Sequence, residues 1–234
     1  MNRYRSEDPC SYALGMSLTI EAIQQRYGSM EKVILSEKAS RNRQLDNLLD
    51  LCKIYRIPVE YDENTIEKLS AKENCYCIGV FRKFFEPVKE DEHIVLYGFT
   101  DHGELGTVLR SAVSFDFKDI VLISTDVDYF DPRCVRASMG SLFHCRIAEF
   151  ADLDSYLKQY PDRNLYPFVS KGRYGLEDIR INRPYSILIS QDPDSLDGRF
   201  ETDYSVEQSD DTSISLSIRS SVILAEAYQR KRSR

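Results

Sequence analysis

Two kinds of residue in this chain are placed where they could do chemistry. Arg110 stands in the middle of a segment whose apolar residues Leu105, Val108, Leu109, Ala112 and Val113 recur at helical spacing. A mid-helix arginine is too early to cap a C-terminus. It stays protonated, so it makes a poor general base; its planar fork suits a developing oxyanion or a phosphate. The structural alternative is an arginine that lies along the helix or pairs with Glu104, a turn and a half earlier. Glu104 itself reads in two ways: a carboxylate that alters the site around Arg110, or an ordinary helix-N-terminal acid. The second kind is a polar loop following an apolar run, Ser190-Gln191-Asp192-Pro193-Asp194-Ser195-Leu196. Serine and aspartate there serve turns, or they frame a ligand.

The elements around these residues alternate. Ile94 to Phe99 is a short β-forming run, and Thr100-Asp101-His102-Gly103 breaks it. The Arg110 helix follows, and then Ile120-Val121-Leu122-Ile123. Strand, helix and strand within about thirty residues make a βαβ unit and predict a parallel sheet. Upstream, the pattern predicts a helix marked by Leu14, Leu18, Ala22 and Ile23, a strand over 32–35, a helix over 45–52, a strand over 57–61, a short helix over 65–69 and a strand over 75–81. Residues 1–11 are polar and predicted to be loosely held. Phe84 to Asp91 reads as a linker, dividing the chain into domains at 12–85 and 91–234. Downstream, Pro132 opens a helix predicted to run through Met139. A helix over 153–159, strands over 166–170 and 185–190, and a last amphipathic helix over 214–231 complete the alternation.

Composition narrows the function. The chain has 234 residues, 42% hydrophobic and 29% charged, ordinary for a globular protein. No apolar run approaches the roughly 20 residues of a membrane helix, and Met1 to Tyr12 has no apolar core; the expected compartment is the cytoplasm, with no membrane partner. Six scattered cysteines and three histidines form no metal-ligand pattern. The net charge of −7 means that any nucleic-acid contact must come from a local patch. Lys171, Arg173, Arg180 and Arg183, with Tyr174 among them, supply one such stretch, or a solvated loop.

Asp101 to Ala112 resembles the first motif of the SpoU (TrmH-like) RNA ribose methyltransferases of the SPOUT class, which runs Asn-x-Gly-x-x-x-Arg-x-Ala. Gly106, Arg110 and Ala112 match in register, and Glu104 stands at the Asn position. Arg136 to Phe143 is similar to the family's Arg-x-Ser-x-Gly-Ala-x-Phe segment. The other two motifs diverge. In the second, Gly-x-Glu-x-x-Gly, Ser190 takes the first Gly and Asp192 the Glu. In the third, Ser205-Val206-Glu207 replaces Ile-Pro-Met, and Ser213-Ile214-Ser215-Leu216-Ser217 replaces Ser-Leu-Asn-Val-Ser.

The resemblance implies a C-terminal α/β trefoil-knot domain with a parallel sheet, preceded by a small α/β domain like ribosomal protein L30e. It implies S-adenosylmethionine as cofactor, tRNA or rRNA as partner, methyl transfer to a ribose 2′-hydroxyl, and a homodimer. It places catalysis on Arg110, Glu104 and Ser215. Cofactor contacts fall on Ser190, Gln191, Asp192, Leu196, Ser205, Val206, Ile214 and Leu216, and RNA contacts on Arg136, Ser138, Lys171 and Arg173. The divergent motifs leave a second expectation, a relative that has lost methyl transfer and acts as an RNA-binding or scaffolding protein. A third is a small-molecule methyltransferase on the same fold.

Overall fold

A computed structural model describes residues 4–70, 75–89, 91–169, 171–175, 178, 180–197, 199, 206–207 and 214–232. They divide into two compact units, Met1–Phe84 with Asp128–His144, and Phe85–Val127 with Cys145–Arg234. The contiguous division expected from the sequence differs in one segment: 128–144 belongs with the first unit.

The first unit holds a mixed sheet of β1 (Cys10–Leu14), β2 (Met30–Leu35), β3 (Val59–Tyr61) and β4 (Cys77–Arg82), in the order β1-β4-β2-β3. Pairing is antiparallel except for β2 with β3. Helices α1 (Met16–Arg26), α2 (Arg43–Tyr55) and α3 (Glu63–Leu69) complete the order. Asn42 caps α2, accepting from the amides of Gln44 and Leu45, and Asp62 caps α3 through Thr65. The loosely held N-terminus predicted for residues 1–11 is corrected from Tyr4 onward, residues 1–3 lying outside the described residues. Cys10 and Ser11 pair with Arg82 and Phe81, the Ser11 hydroxyl donates to the Phe130 carbonyl, and the Tyr4 hydroxyl donates to Asp128.

The 128–144 segment earns its place by packing. Phe130 and Phe143 meet Phe81 and Phe84, with ring centroids 5.1–6.2 Å apart, and Lys83 pairs with Asp128 at 3.2 Å. Burying each such phenylalanine stabilises by about 1.5–3 kcal/mol. Helix α5 (Pro132–Ala137), capped by Asp131, stops two residues short of its predicted end. Met139 (φ 51) and Gly140 (φ 92) then turn the chain left-handed. A Cβ on Gly140 would stand 2.7 Å from Cγ of Glu21, so only glycine fits without a shift.

The second unit is a six-stranded sheet in the order β10-β8-β9-β5-β6-β7, every pair parallel. The strands are β5 (Glu92–Tyr97), β6 (Asp119–Ile123), β7 (Arg146–Phe150), β8 (Asn164–Val169), β9 (Tyr185–Ser190) and β10 (Val206–Glu207), with α4 (His102–Ser114), α6 (Leu153–Gln159), α7 (Asp194–Asp197) and α8 (Leu216–Arg232). Ile94, Val95, Leu96, Ile120, Val121, Leu122, Ile187, Leu188 and Ile189 are all buried. A parallel sheet covered on both faces demands such unbroken apolar runs.

The N-terminal ends of these strands close on polar side chains. Asp119 and Arg146 form a two-bond pair at 2.6 Å, and Asp119 also accepts from the Lys89 amide. These donors and the burial they oppose leave the Asp119 carboxyl below its usual range. His93 is fully buried. Its Nε2 lies 2.5 Å from the Lys89 carbonyl and must donate, so Nδ1 accepts from the Tyr156 hydroxyl at 2.8 Å. Tyr156 in turn meets Ser186 at 2.5 Å, and Ser186 accepts from Arg163 at 2.8 Å. Burial and the nearby Arg163 charge push the His93 pKa down to about 4.

Candidate functional site

The C-terminal ends of the strands carry the loops. From β5 the chain moves through α4 to β6 on one side, whereas β8 and β9 lie on the other. The order therefore reverses between β5 and β9, the place where open α/β sheets receive ligands. Gly98 (φ 73) turns the chain sharply out of β5 while its amide still donates to the Ile123 carbonyl at 2.9 Å. Asp101 then caps α4, accepting from the Glu104 amide at 2.8 Å.

The sequence-predicted residues divide around this crevice. Gln191 follows β9, and its amide donates to the Tyr97 carbonyl at 3.0 Å. Its side chain accepts from the Thr100 amide at 2.9 Å and donates to the Thr100 hydroxyl at 3.0 Å. Ser190, at the glycine position of the second motif, is buried; its hydroxyl donates to the Asp192 carbonyl at 2.7 Å and accepts from the Asp192 amide at 3.1 Å. It closes its own turn. Asp192 and Asp194 are exposed, and neither carboxylate makes an ion pair among the described residues. Leu196 points inward and packs with Val95, Val121 and Leu188. Any contact it offers a ligand comes from its backbone.

On the other side of the crevice, Ser215 precedes α8 and its hydroxyl accepts from the Ile218 amide at 3.4 Å, a capping role. Ile214 is at the surface and Leu216 is buried. Val206 lies in β10, paired with Phe168. Ser205 lies outside the described residues. Sequence reasoning missed Arg219, in the first turn of α8. Its Nη2 reaches the Gln191 carbonyl at 3.4 Å, and its buried Nε has no hydrogen-bond partner.

Arg110 is on the outer face of α4, exposed, and among the described residues its guanidinium has no partner. The pairing with Glu104 that the spacing allowed is not made. Helix α8 lies against α4, with Ser111 and Ser221 bonded at 2.7 Å. Beside that contact, Ile218 and Val222 are 57% and 62% exposed, one turn apart.

Of the expected RNA contacts, Lys171 and Arg173 are exposed after β8. Arg136 is exposed on α5, within the first unit. Ser138 is fully buried, donating to the Val135 carbonyl at 2.8 Å and accepting from the Leu142 amide at 3.4 Å. Its hydroxyl closes the end of α5 and has no surface to offer. Among the described residues no helix is long and apolar enough to cross a membrane.

Residues 91–189 match the model of the SpoU rRNA Methylase family. That stretch of the chain is similar to a SpoU methylase domain. Solved structures of the same fold cover nearly all of the chain. A SpoU methyltransferase, AviRb from Streptomyces viridochromogenes, is 18% identical with TM-score 0.80, over 96% of this chain and 91% of its own. An S-adenosylmethionine-bound rRNA methyltransferase from Sinorhizobium meliloti is 22% identical with TM-score 0.76, over 96% and 89%. An RNA 2′-O ribose methyltransferase is 20% identical with TM-score 0.73, over 97% and 91%. No curated protein sequence matches. The SpoU match begins at Asp91 and ends at Ile189, so it takes in β5 to β9 and stops at the loop where Ser190 replaces the motif's glycine.

Proposed function

We propose that this protein transfers a methyl group from S-adenosylmethionine to a ribose 2′-hydroxyl of tRNA or rRNA, and does so as a homodimer. The observation that carries the reading is the unpaired Arg110 on the first helix of a SpoU-like domain, the helix that leaves β5 at the strand-order reversal. The names of the structural relatives support the substrate and cofactor.

The chemistry of the donor set fits the cofactor. S-adenosylmethionine carries a sulfonium, an ammonium and a carboxylate. Around the crevice Asp192 and Asp194 supply unpaired negative charge, and Arg219 an incompletely bonded cation. The Gln191 carbonyl, at the end of β9, would face it, and Ser215 and Leu216 at the start of α8 would close the other side.

When bound between the loops at Gln191 and Ser215, the cofactor would supply an electrophilic methyl carbon to the ribose oxygen and would leave as the neutral thioether, with the hydroxyl proton passing to solvent water. Arg110 cannot take that proton. Its role is to stabilise charge developing on the ribose oxygen or to hold the adjoining phosphate. A strongly basic surface is not needed for this, since Lys171, Arg173 and Arg136 act as local contacts.

The dimer follows from α8. Ile218 and Val222 present a branched apolar stripe beside Arg110's helix, and a second copy is its occupant in this reading. That arrangement would bring one copy's Arg110 to its partner's crevice.

A second reading rests on Ser190, whose side chain occupies the turn that the family's glycine leaves open. It describes an RNA-binding relative without methyl transfer. Calorimetric titration with S-adenosylmethionine, followed by incubation with bulk RNA and the labelled cofactor, separates the two. Binding with label in ribose supports the enzyme. RNA binding with no heat at millimolar cofactor removes it in favour of the second reading.

A further inference from the structure

Arg219 is an anomaly within the second unit. A guanidinium has five N–H donors. Here one reaches a carbonyl at 3.4 Å, at the outer limit for such a bond, and the buried Nε has no partner among the described residues. No carboxylate of the described residues pairs with it, although Asp192 is the residue next to its only acceptor. A buried cationic donor left unpaired is costly, and no packing need places an arginine on this turn, where its neighbours Leu216, Ser220 and Ile223 already fill the buried face.

We infer that Arg219 receives the carboxylate of the methyl donor. This rests on the cofactor reading above and assigns one end of that ligand to one side chain. Three observations favour it. The acceptor it touches, the Gln191 carbonyl, lies on the loop at the strand-order reversal, where the ligand is held. The Nε–H and Nη–H edge of arginine is the one that binds a carboxylate with two parallel bonds, and Nε is the buried, unused donor. The surroundings also select against a polyanion. Asp192 and Asp194 are exposed and unpaired nearby on the loop, so a phosphate on an RNA backbone meets repulsion. A small zwitterion instead places its cationic groups toward those acids and its carboxylate on Arg219.

The test pairs an edit of the protein with an edit of the ligand. The full-length protein and its Arg219→Gln variant are titrated by calorimetry with S-adenosylmethionine and with its decarboxylated analogue. The wild type is expected to prefer the carboxylated form by roughly tenfold or more, the size of one charge-assisted pair. Arg219→Gln is expected to bind both forms alike, with its thermal midpoint unchanged. Arg219→Lys keeps the charge without the fork and recovers only part of the preference. A preference that persists in Arg219→Gln, or a wild type indifferent to the carboxylate, overturns the assignment. So does an Arg219→Gln variant that binds both cofactor forms like the wild type but loses affinity for bulk tRNA in filter binding, which makes Arg219 a phosphate contact. A wild type that binds neither form instead sinks the cofactor reading itself, a separate result.

Discussion

Gln191 and Thr100 clasp each other across the reversal in strand order, through a side-chain carbonyl 2.9 Å from the Thr100 amide and a side-chain amide 3.0 Å from its hydroxyl. One residue follows β9 and the other follows β5, so two loops far apart in sequence are held at one spacing. Gln191→Ala removes both bonds. Each exposed neutral bond contributes about 0.5–1.5 kcal/mol, so losing both should lower the thermal midpoint by roughly 2–12 °C for a chain of this size. Cofactor binding should weaken several-fold in the same variant. Unchanged calorimetric affinity would show that the clasp does not shape the crevice.

Arg110 and Glu104 lie on one helix without touching, so their variants should separate. Arg110→Ala should cut methyl transfer by about 10²–10³-fold, as loss of one oxyanion donor does elsewhere. Because the guanidinium is exposed and unpaired, melting should not change. Glu104→Asn removes a negative charge from the same helix and should tighten RNA binding by about two- to fivefold at low salt, fading as salt screens it. Filter binding at two salt concentrations reads both effects.

His93 makes stability depend on pH. Its folded pKa, about 4, lies below the usual 6.5, so the unfolded chain binds more protons between those values. The neutral ring's contribution is fully present above about pH 6.5 and is lost as pH falls toward 4. Over that window it amounts to about 3 kcal/mol. Protonation puts a hydrogen on Nδ1, so the Tyr156 hydroxyl must turn from donor to acceptor there. Urea unfolding at several pH values between 4 and 7.5 should show the slope, and His93→Gln should flatten it.

Gly140→Ala tests the turn after α5. A left-handed φ of 92° and a Cβ 2.7 Å from Glu21 both oppose any side chain, and such strain costs on the order of 1–3 kcal/mol. The variant should unfold at lower urea with an unchanged slope. A wild-type midpoint would mean that α1 moves away freely.

Val222→Asp addresses the dimer. Val222 is 62% exposed, so an isolated copy should keep its stability within about 0.5 kcal/mol. Sedimentation should show dimer for the wild type and monomer for the variant, with methyl transfer lost in the monomer if Arg110 serves its partner's crevice. A wild type that sediments as a monomer removes the dimer from the proposal.

Much of the second unit was legible because strong periods rarely mislead. The all-apolar runs at 94–97 and 187–189 are buried strands, and Leu105, Val108, Leu109 and Ala112 are the inner face of α4. Strand β1 was not legible: five residues beside a polar stretch gain their order from β4, a partner nearly seventy residues on. Strand β7 begins with a charge, Arg146, which is tolerable only because Asp119 answers it. At the candidate site, hydroxyls were ambiguous. Ser138 and Ser190 both look like ligand-facing polar residues, and both satisfy nearby backbone instead. Arg219 gave no signal at all, since one arginine in an amphipathic helix has no pattern; only its missing partners mark it.

The excursion of Asp128–His144 into the first unit governs how the molecule can be divided. No single cut of the gene yields two intact halves. A fragment ending at Phe84 would leave Phe81 and Phe84 without Phe130 and Phe143, and a fragment starting at Phe85 would expose those same two rings to water. Expression trials that trim the N-terminal portion to obtain a minimal transferase should therefore produce sticky, poorly behaved material, whereas bypassing 128–144 with a short glycine-rich bridge should restore solubility.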